Sequence, residues 1–309
     1  TLVVASEGID SDLQTMTVIA LERIGCQVFH VSPSLNTRDM FDHPTIAEAM
    51  KRAKFVVDLT GLLHESPSQK EHLKNVRVLI LNFGDVSDLD HLVVSSGVGR
   101  RARTLHQLAE SSQAFVLTSD MGTHLSIDLS NAYCDDDTGI VTQPGEVSKW
   151  PAGIFRITPN PKATKGEILI TPGDMILEAR HIITAPVRLE IHKGHVVEIL
   201  GESNDANLIR TQLESQSQPN LAYGIDNVSL GLNFVRGDKG TNLFDHTRLG
   251  LGQGQYTAGW CSVSVGTAVT VILTNTSATF DSQTVIDHGE LCGNMQPDLY
   301  EKTAAGLSY

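Results

Sequence analysis

Along the first 120 residues, short apolar runs alternate with stretches in which apolar side chains recur at helical spacing. Such runs predict strands, and such stretches predict amphipathic helices. The predicted strands are residues 2–5, 28–31, 55–59, 76–81 and 114–117. The predicted helices are Ser11–Gly25, Thr37–Arg52 and Val98–Ser111. Because strands that alternate with helices form parallel sheets with right-handed crossovers, we expect a wound α/β domain with helices on both faces.

The second half of the chain has a different pattern. Residues 131–148 are polar and predict a connecting loop, in which the three aspartates at 135–137 are solvated. From Trp150 onward the pattern is that of β-structure. Residues 187–191 alternate between apolar and polar and lead into a Lys193-Gly194 turn, which predicts a hairpin. The predicted parts are a Rossmann-like α/β domain at 1–125, a connecting loop at 126–149 and a β-rich mixed α+β domain at 150–309.

Composition narrows the classes of partner and cofactor. The formal net charge of −13 argues against nucleic acid, because phosphate binding requires a clustered excess of Lys and Arg. The basic cluster at 100–103 predicts a solvated helix face. We expect no membrane association, since the chain has no apolar run of about 18 residues and its opening lacks a signal-peptide pattern. Because no GxGxxG follows the first strand, we expect no nucleotide cofactor. We expect no other cofactor either.

The cysteines indicate a cellular compartment. Cys26, Cys134, Cys261 and Cys292 are far apart and form no CxxC pair. Zinc knuckles and small disulfide frameworks both require closer spacing. Buried reduced thiols in a cytoplasmic protein are therefore expected.

The most specific text in the chain lies between Trp150 and Leu213. It reads WPAGIFRITPNP, GEILITPGDMIL, PVRLEIHKGHVVEILG and DANLIRTQL, in that order. With the upstream text VVDLTGLLHESPSQKEHLKNVRVLIL, these segments resemble the 2,5-dihydroxypyridine 5,6-dioxygenases and, more distantly, the metal-dependent aminopeptidases of the T type. The resemblance covers most of residues 50–290. It implies that residues 150–309 correspond to the catalytic domain of that family.

The resemblance also implies an iron site, and here the sequence departs from the family. The dioxygenases have a His after a Tyr-Gly-Ile stretch and a His-x-Asp further along the chain. Iron(II) enzymes of this kind use two imidazoles and one carboxylate. Here Asn227 and Thr279 stand where the two histidines are expected, and only Asp281 is kept. Because amide and hydroxyl oxygens are weak ligands for iron(II), we expect no bound metal and interpret Asp281 as a buried hydrogen-bond acceptor.

A shifted alignment leaves a second ligand set open. His246, Asp281 and His288 would again provide two imidazoles and one carboxylate. If one extended strand contained both Asp281 and His288, their odd spacing would place them on opposite faces. This geometry disfavours the shifted set.

His64 follows the third predicted strand, at the carboxyl edge where α/β proteins build their sites. The resemblance implies that it contacts or deprotonates the substrate, a role that suits an imidazole because it titrates near neutrality. Helix capping or packing over the sheet is the structural alternative. Further ligand-binding candidates, in segments where the family places pocket residues, are Thr123, His124 and Lys149. His192 and His195 flank the hairpin turn, and we expect both to project into solvent without functional effect.

These features predict a metal-free binding protein with the fold of a metalloenzyme. The expected ligand is a peptide in the cleft between the two domains, or a small aromatic molecule. Metal-free proteins that resemble this group occur in the biosynthesis of ribosomally made peptides of the crocagin type, which favours a precursor peptide. The alternatives are a metal-independent enzyme with His64 as general base and an iron dioxygenase with the shifted ligand set. The family and the β-branched residues 261–273 also predict a homodimer or larger assembly.

Overall fold

The chain folds into two compact units. The computed structural model describes residues 1–6, 9–32, 38–63, 72–81, 95–150, 153–233, 236–237, 255–256, 259, 261–266 and 268–304. The first unit comprises Thr1–Val94 and Asp137–Ala152, and the second comprises Ser95–Asp136 and Gly153–Tyr309. The chain thus leaves the first unit and returns to it, so this division departs from the predicted boundaries at 125 and 150.

A parallel sheet forms the centre of the first unit. In the described residues its strands are β1 (Leu2–Val4), β2 (Phe29–Val31), β3 (Phe55–Asp58), β4 (Arg77–Leu81) and β8 (Val147–Trp150), in the order β2-β1-β3-β4-β8. The helices described in this unit are α1 (Ser11–Arg23), α2 (Pro44–Arg52) and a 3-10 helix at Arg38–Asp42. Asp10 caps α1 by accepting a hydrogen bond from the Asp12 amide at 2.7 Å.

Alternating side chains of β1 pack on opposite faces of this sheet. Leu2 and Val4 lie in an apolar cluster with α2, while Val3 and Ala5 lie in a second cluster with α1. The sheet is therefore covered by helices on both faces, as buried parallel sheets require. The predicted wound α/β architecture is confirmed.

The strand predicted at residues 114–117 exists, but it does not belong to the parallel sheet as predicted. Residues 114–117 form β5 (Ala114–Thr118), which pairs antiparallel with strands of the second unit. Phe115 and Leu117 are fully buried, whereas the residues that alternate with them are half-buried. This one-sided pattern suits an antiparallel strand with one face outside the core. The fifth parallel strand is β8, from within the predicted connecting loop.

That predicted loop contains further ordered structure. Its aspartates 135–137 belong to β7 (Tyr133–Asp137), an edge strand of the second unit's sheet. Asp135 pairs with Arg156 at 3.0 Å, and Asp136 pairs with His106 at 2.7 Å. The expectation of a solvated acidic loop is wrong, because Asp135 and Asp136 have these partners on neighbouring elements and Asp137 is buried.

Two antiparallel sheets form the second unit. The larger sheet contains β5, β6 (His124–Asp128), β10 (Thr164–Ile170), β13 (Val187–His192), β14 (His195–Leu200), β20 (Ser277–Phe280), β21 (Gln283–Asp287) and β22 (Glu290–Leu291), in the order β14-β13-β10-β6-β5-β20-β21-β22. The smaller sheet contains β7, β9 (Ile154–Thr158), β11 (Met175–Ile176), β12 (His181–Ile182), β15 (Ile225–Gly231), β18 (Cys261–Val265) and β19 (Val269–Leu273), in the order β12-β11-β19-β18-β15-β9-β7. A short ribbon pairs β16 (Arg236–Gly237) with β17 (Gln255–Tyr256). The helices described here are α3 (Val98–Ser111), α4 (Asn204–Glu214), α5 (Pro219–Ala222), α6 (Leu299–Ala304) and a 3-10 helix at Gly293–Met295.

Both sheets of the second unit bury one face in a shared apolar core. Phe115 and Phe280 of the larger sheet belong to the same cluster as Val228 and Val263 of the smaller one, and α3 and α4 add further apolar side chains. The β-rich second part of the chain is thus confirmed. Strands β18 and β19, whose β-branched text motivated the predicted homodimer, are interior strands with partners on both sides. The homodimer stays a prediction.

Other predicted features are partly met. Lys193 and Gly194 have φ angles of 48° and 75°, which suit the two-residue turn of the predicted β13–β14 hairpin. The four cysteines are free thiols, but only Cys261 is fully buried. In the described parts of the chain, no helix is long and apolar enough to span a bilayer.

A buried ion pair anchors α6 in the second unit. The Arg101 guanidinium donates to both carboxylate oxygens of Glu301, at 2.8 and 2.6 Å, and to the backbone oxygens of Leu232 and Met295. Both side chains are almost completely buried. The prediction of a solvated basic cluster is therefore wrong at Arg101. Burial, the largest single effect, raises the pKa of Glu301, but hydrogen bonds from Arg101, Ser95 and the Asp298 amide, together with the charge of Arg101, outweigh it and lower that pKa to about 2.

Replacing Glu301 by Gln should destabilise the protein by about 3–5 kcal/mol at neutral pH, because the buried guanidinium loses its counter-charge. Urea unfolding followed by circular dichroism measures this. The stabilisation requires the carboxylate, so it is complete above the ordinary glutamate pKa of 4.5 and is lost as the pH falls from there toward 2. The exposed Glu110→Gln on α3 is the control. A loss at neutral pH equal to that of the control would contradict this role.

Candidate functional site

Asn227 lies on β15, on the face that points away from the shared core. Its neighbours Val228 and Leu230 are buried in that core, whereas the Asn227 side chain contacts hydroxyls of the outer face. The Oδ1 atom accepts hydrogen bonds from Ser229 Oγ at 2.9 Å and from Ser264 Oγ at 3.5 Å. Asn227 is therefore part of a polar network on the outside of the smaller sheet.

Thr279 lies on the other sheet. Its neighbours on β20, Ala278 and Phe280, are buried in the shared core, so Thr279 points outward and contacts Thr284 Oγ1 at 3.2 Å. Packed sheets are about 10 Å apart. Asn227 and Thr279 thus lie on different sheets, each on the face away from the shared core, and their place in one site stays a prediction.

Asp281 occupies the turn between β20 and β21. Its φ angle is 47° and its side chain is exposed. The carboxylate accepts hydrogen bonds from the backbone amides of Gln113 and Ala114, at 2.9 to 3.2 Å. The expected buried acceptor is thus a surface carboxylate that holds the turn against the start of β5.

His288 lies at the opposite end of β21 from Asp281. Its Nε2 is 3.1 Å from Asp120 Oδ2, and its Nδ1 is 2.8 Å from Asp287 Oδ1. The hydrogen bond with Asp120, followed by that with Asp287, raises the pKa of His288. The five residues of β21 span roughly 17 Å at about 3.4 Å each. Asp281 and His288 therefore cannot bind one metal ion, which removes the shifted ligand set.

Two predicted residues lie outside the described part of the chain, namely His64 and His246. Their predicted roles stay predictions. Within the described ranges, no group of three or more His, Cys, Asp or Glu side chains is arranged to hold a metal.

Of the remaining predicted candidates, Thr123 and His124 lie in the second unit and Lys149 lies in the first. Thr123 is buried, and its hydroxyl bonds to the backbone of Leu169, which fixes the start of β6 against β10. His124 is exposed on β6, opposite Glu167. Lys149 is exposed on β8, in the first unit. The structure gives Thr123 a packing role and leaves the ligand contacts of His124 and Lys149 as predictions.

A pocket of about 490 Å³ opens within the second unit, at one end of the two sheets. It lies beside the tip of the β13–β14 hairpin and the segment that enters β15. Its lining residues are Thr158, Pro159, Pro161, Gly194, His195, Gln216, Ser217, Gln218, Leu221, Ala222, Gly224, Ile225, Asp226 and Gly266. A concave site of this volume, largely apolar with a few polar groups, has the properties of ligand-binding pockets.

His195 is exposed at the hairpin tip, as expected, and it also lines this pocket. The Gly194 amide donates to Thr164 O at 2.7 Å, and the Ile225 amide donates to Gly194 O at 2.8 Å. His195 also forms a β-bridge with Gly224. The hairpin tip is thus held against the entry to β15, an interaction that spacing along the chain does not reveal. His192 is exposed as well and is not among the lining residues.

Asp226 connects the pocket to Asn227. Asp226 is one of the residues that line the pocket and is exposed, and its Oδ2 accepts a hydrogen bond from Asn227 Nδ2 at 2.8 Å. At the position where the resemblance implies an iron ligand, this chain therefore has an amide that contacts a pocket carboxylate.

Comparison with known proteins identifies the family. The model of the 2,5-dihydroxypyridine 5,6-dioxygenase family matches residues 1–237, and the chain belongs to that family. A solved 2,5-dihydroxypyridine dioxygenase from Pseudomonas putida KT2440 is 21% identical over 94% of this chain and 91% of that one, with a TM-score of 0.78. Wild-type AmpT from Thermus thermophilus is 12% identical over 94% and 93% of the two chains, with a TM-score of 0.51. No curated protein matches the chain. The predicted resemblance is confirmed, and at these identities the two structures establish the fold.

The residues at the expected ligand positions do not fit an iron ion. Metal–ligand bonds to nitrogen and oxygen are roughly 2 Å long. Asn227 and Thr279 point outward from different sheets, and Asp281 is occupied by backbone amides. No step of chemistry can therefore be assigned to a metal held by these three residues.

Restoring the two histidines should not restore an iron site. We expect the double variant Asn227→His/Thr279→His, loaded anaerobically with ferrous iron and desalted, to hold no more iron than either single variant. The reason is that the new imidazoles would extend from opposite outer faces of the second unit. Elemental analysis measures the iron content. One equivalent of iron in the double variant alone would show that these positions do meet at one ion.

Proposed function

We propose that this chain is a binding protein for a peptide and that the peptide occupies the pocket of the second unit. The observation that carries the proposal is the lining of that pocket. Pro159, Pro161, Leu221 and Ile225 offer apolar contacts, while His195 and nearby glutamine side chains offer hydrogen-bonding groups. A peptide combines apolar side chains with regularly spaced N–H and C=O groups, and so matches this mixture.

Gly224 on the pocket lining also supports a peptide. It has no side chain, and a Cβ there would meet only the pocket residues Leu221 and His195 at ordinary distances, so a ligand can approach its backbone closely. Backbone-to-backbone hydrogen bonds are a recurring mode of peptide recognition.

The charge of the pocket favours a peptide over a small aromatic acid. The Asp226 carboxylate would repel a ligand carboxylate and attract a cationic or N–H donor group. We propose further that this peptide is the precursor of a ribosomally made natural product, as the resemblance in sequence favours. The dioxygenase named in the family supports a shared fold and ancestry rather than a shared reaction.

Gly224 offers a way to fill the pocket without straining the fold. A Cβ atom there would lie 3.5 Å from Leu221 O and 3.9 Å from His195 Nε2, both ordinary contacts. At Gly266, in contrast, φ is +55° and a Cβ would lie only 2.5 Å from Ala222 O. Gly99 on α3 is a matched control, because its Cβ would lie 3.6 Å from the Arg103 guanidinium and outside the pocket.

The test is affinity selection from an equimolar library of tetrapeptides with free amino ends, read by mass spectrometry. We expect the wild-type protein to retain a distinct subset of the library. Gly224→Leu should retain none of that subset, because its side chain occupies the pocket, whereas Gly99→Leu should retain all of it. Circular dichroism checks that both variants are folded. Failure of the wild-type protein to retain any tetrapeptide, or retention of the same subset by Gly224→Leu, would contradict the proposal.

A further inference from the structure

We infer that the pocket recognises a cationic amino group of its ligand through Asp226 and that Asn227 is the positioning residue for this carboxylate. The inference rests on the proposed peptide-binding function and adds the chemical class of the recognised group. It assigns Asn227 a function at the position where the resemblance implies an iron ligand. Three observations carry it.

The first observation is the β-bulge that presents Asp226. In the pairing of β15 with β18, Ile225 is opposite Val265 and Asn227 is opposite Ser264, so Asp226 is the extra, unpaired residue. A bulge of this kind changes the direction in which a side chain points and is common beside functional sites. Here it allows Asp226 to line the pocket while Ile225 remains packed against the core.

The second observation is that the network fixes the orientation of the Asn227 amide. Its Oδ1 accepts from the hydroxyls of Ser229 and Ser264, and Ser264 Oγ in turn lies 3.1 Å from Thr270 Oγ1. With the amide oxygen held by hydroxyl donors, Nδ2 faces Asp226 and donates to it. The reverse orientation would place the amide oxygen against a carboxylate oxygen, two acceptors without a proton between them. The network thus holds the Asp226 carboxylate in one direction.

The third observation is the charge balance of the lining. The lining residues, all of them in the described part of the chain, include no lysine or arginine. The lining thus gives Asp226 no permanently cationic neighbour, since His195 is its one basic side chain, and Asn227 donates one neutral hydrogen bond to Asp226. A primary ammonium group would supply both the opposite charge and further donors, and such charge-assisted hydrogen bonds are stronger than neutral ones.

The experiment uses the tetrapeptide that the wild-type protein retains best, with a free amino end and in its N-acetylated form. Because the pair lies at an exposed position, we expect acetylation to weaken binding to the wild-type protein about fivefold, the upper range for exposed ion pairs. Asp226→Asn should weaken binding of the free-amino form by a similar factor and leave the acetylated form unchanged. Glu110→Gln, which removes the same charge from α3 of the same unit, should change neither.

Asn227→Ala tests the positioning role through a double-mutant cycle. It should weaken binding of the free-amino form in the wild-type background and have no effect in the Asp226→Asn background, because it acts through that carboxylate. Isothermal titration calorimetry measures all combinations. Equal binding of the two peptide forms by the wild-type protein, or equal loss of both forms in Asp226→Asn, would overturn this inference while leaving the proposed function intact. Failure of any tetrapeptide to bind would instead overturn the proposed function.

Discussion

Burial of one face of each sheet in a single apolar core is the constraint on which the second unit depends. Along β15 and β20, every residue that enters this core forces its neighbour to point outward. Asn227 and Thr279 consequently lie on the outer faces of different sheets, although the resemblance in sequence implies that both stand at ligand positions. The same constraint directs the hydroxyls of Ser229 and Ser264 toward Asn227. Packing thus decides which polar side chains can act together.

Local pattern was sufficient to predict most elements of the fold. Alternation of strands and helices predicted the wound sheet, and Lys193-Gly194 predicted the β13–β14 hairpin of the second unit. Both features depend on residues that are neighbours along the chain. The assignment of β5 to a sheet failed, since a short apolar run such as 114–118 suits either a parallel or an antiparallel strand. The antiparallel pairing of β5 with both β6 and β20 settles the matter, and β20 lies far from β5 in the sequence.

The candidate site was less predictable than the fold for the same reason. His195 and Asp226 are 31 positions apart in the numbering and approach each other because the hairpin tip bonds to the entry of β15. Spacing within the His192–His195 segment carries no information about that approach. One signal was available: Asp226 stands beside Asn227, within the stretch that carries the family resemblance. Asn227, where the resemblance implies a His, draws attention to this stretch of the sequence. Only the structure shows that the adjacent Asp226 is the residue that lines the pocket.

The proposed ligand site is the pocket of the second unit. Amide hydrogen exchange of the whole protein, with and without a saturating retained tetrapeptide, maps the ligand contact without any substitution. We expect slower exchange at residues 193–196 and 221–227, where the hairpin tip meets the entry to β15. Unchanged exchange in both segments, with protection appearing instead at 113–114 and around Asp281, would contradict it.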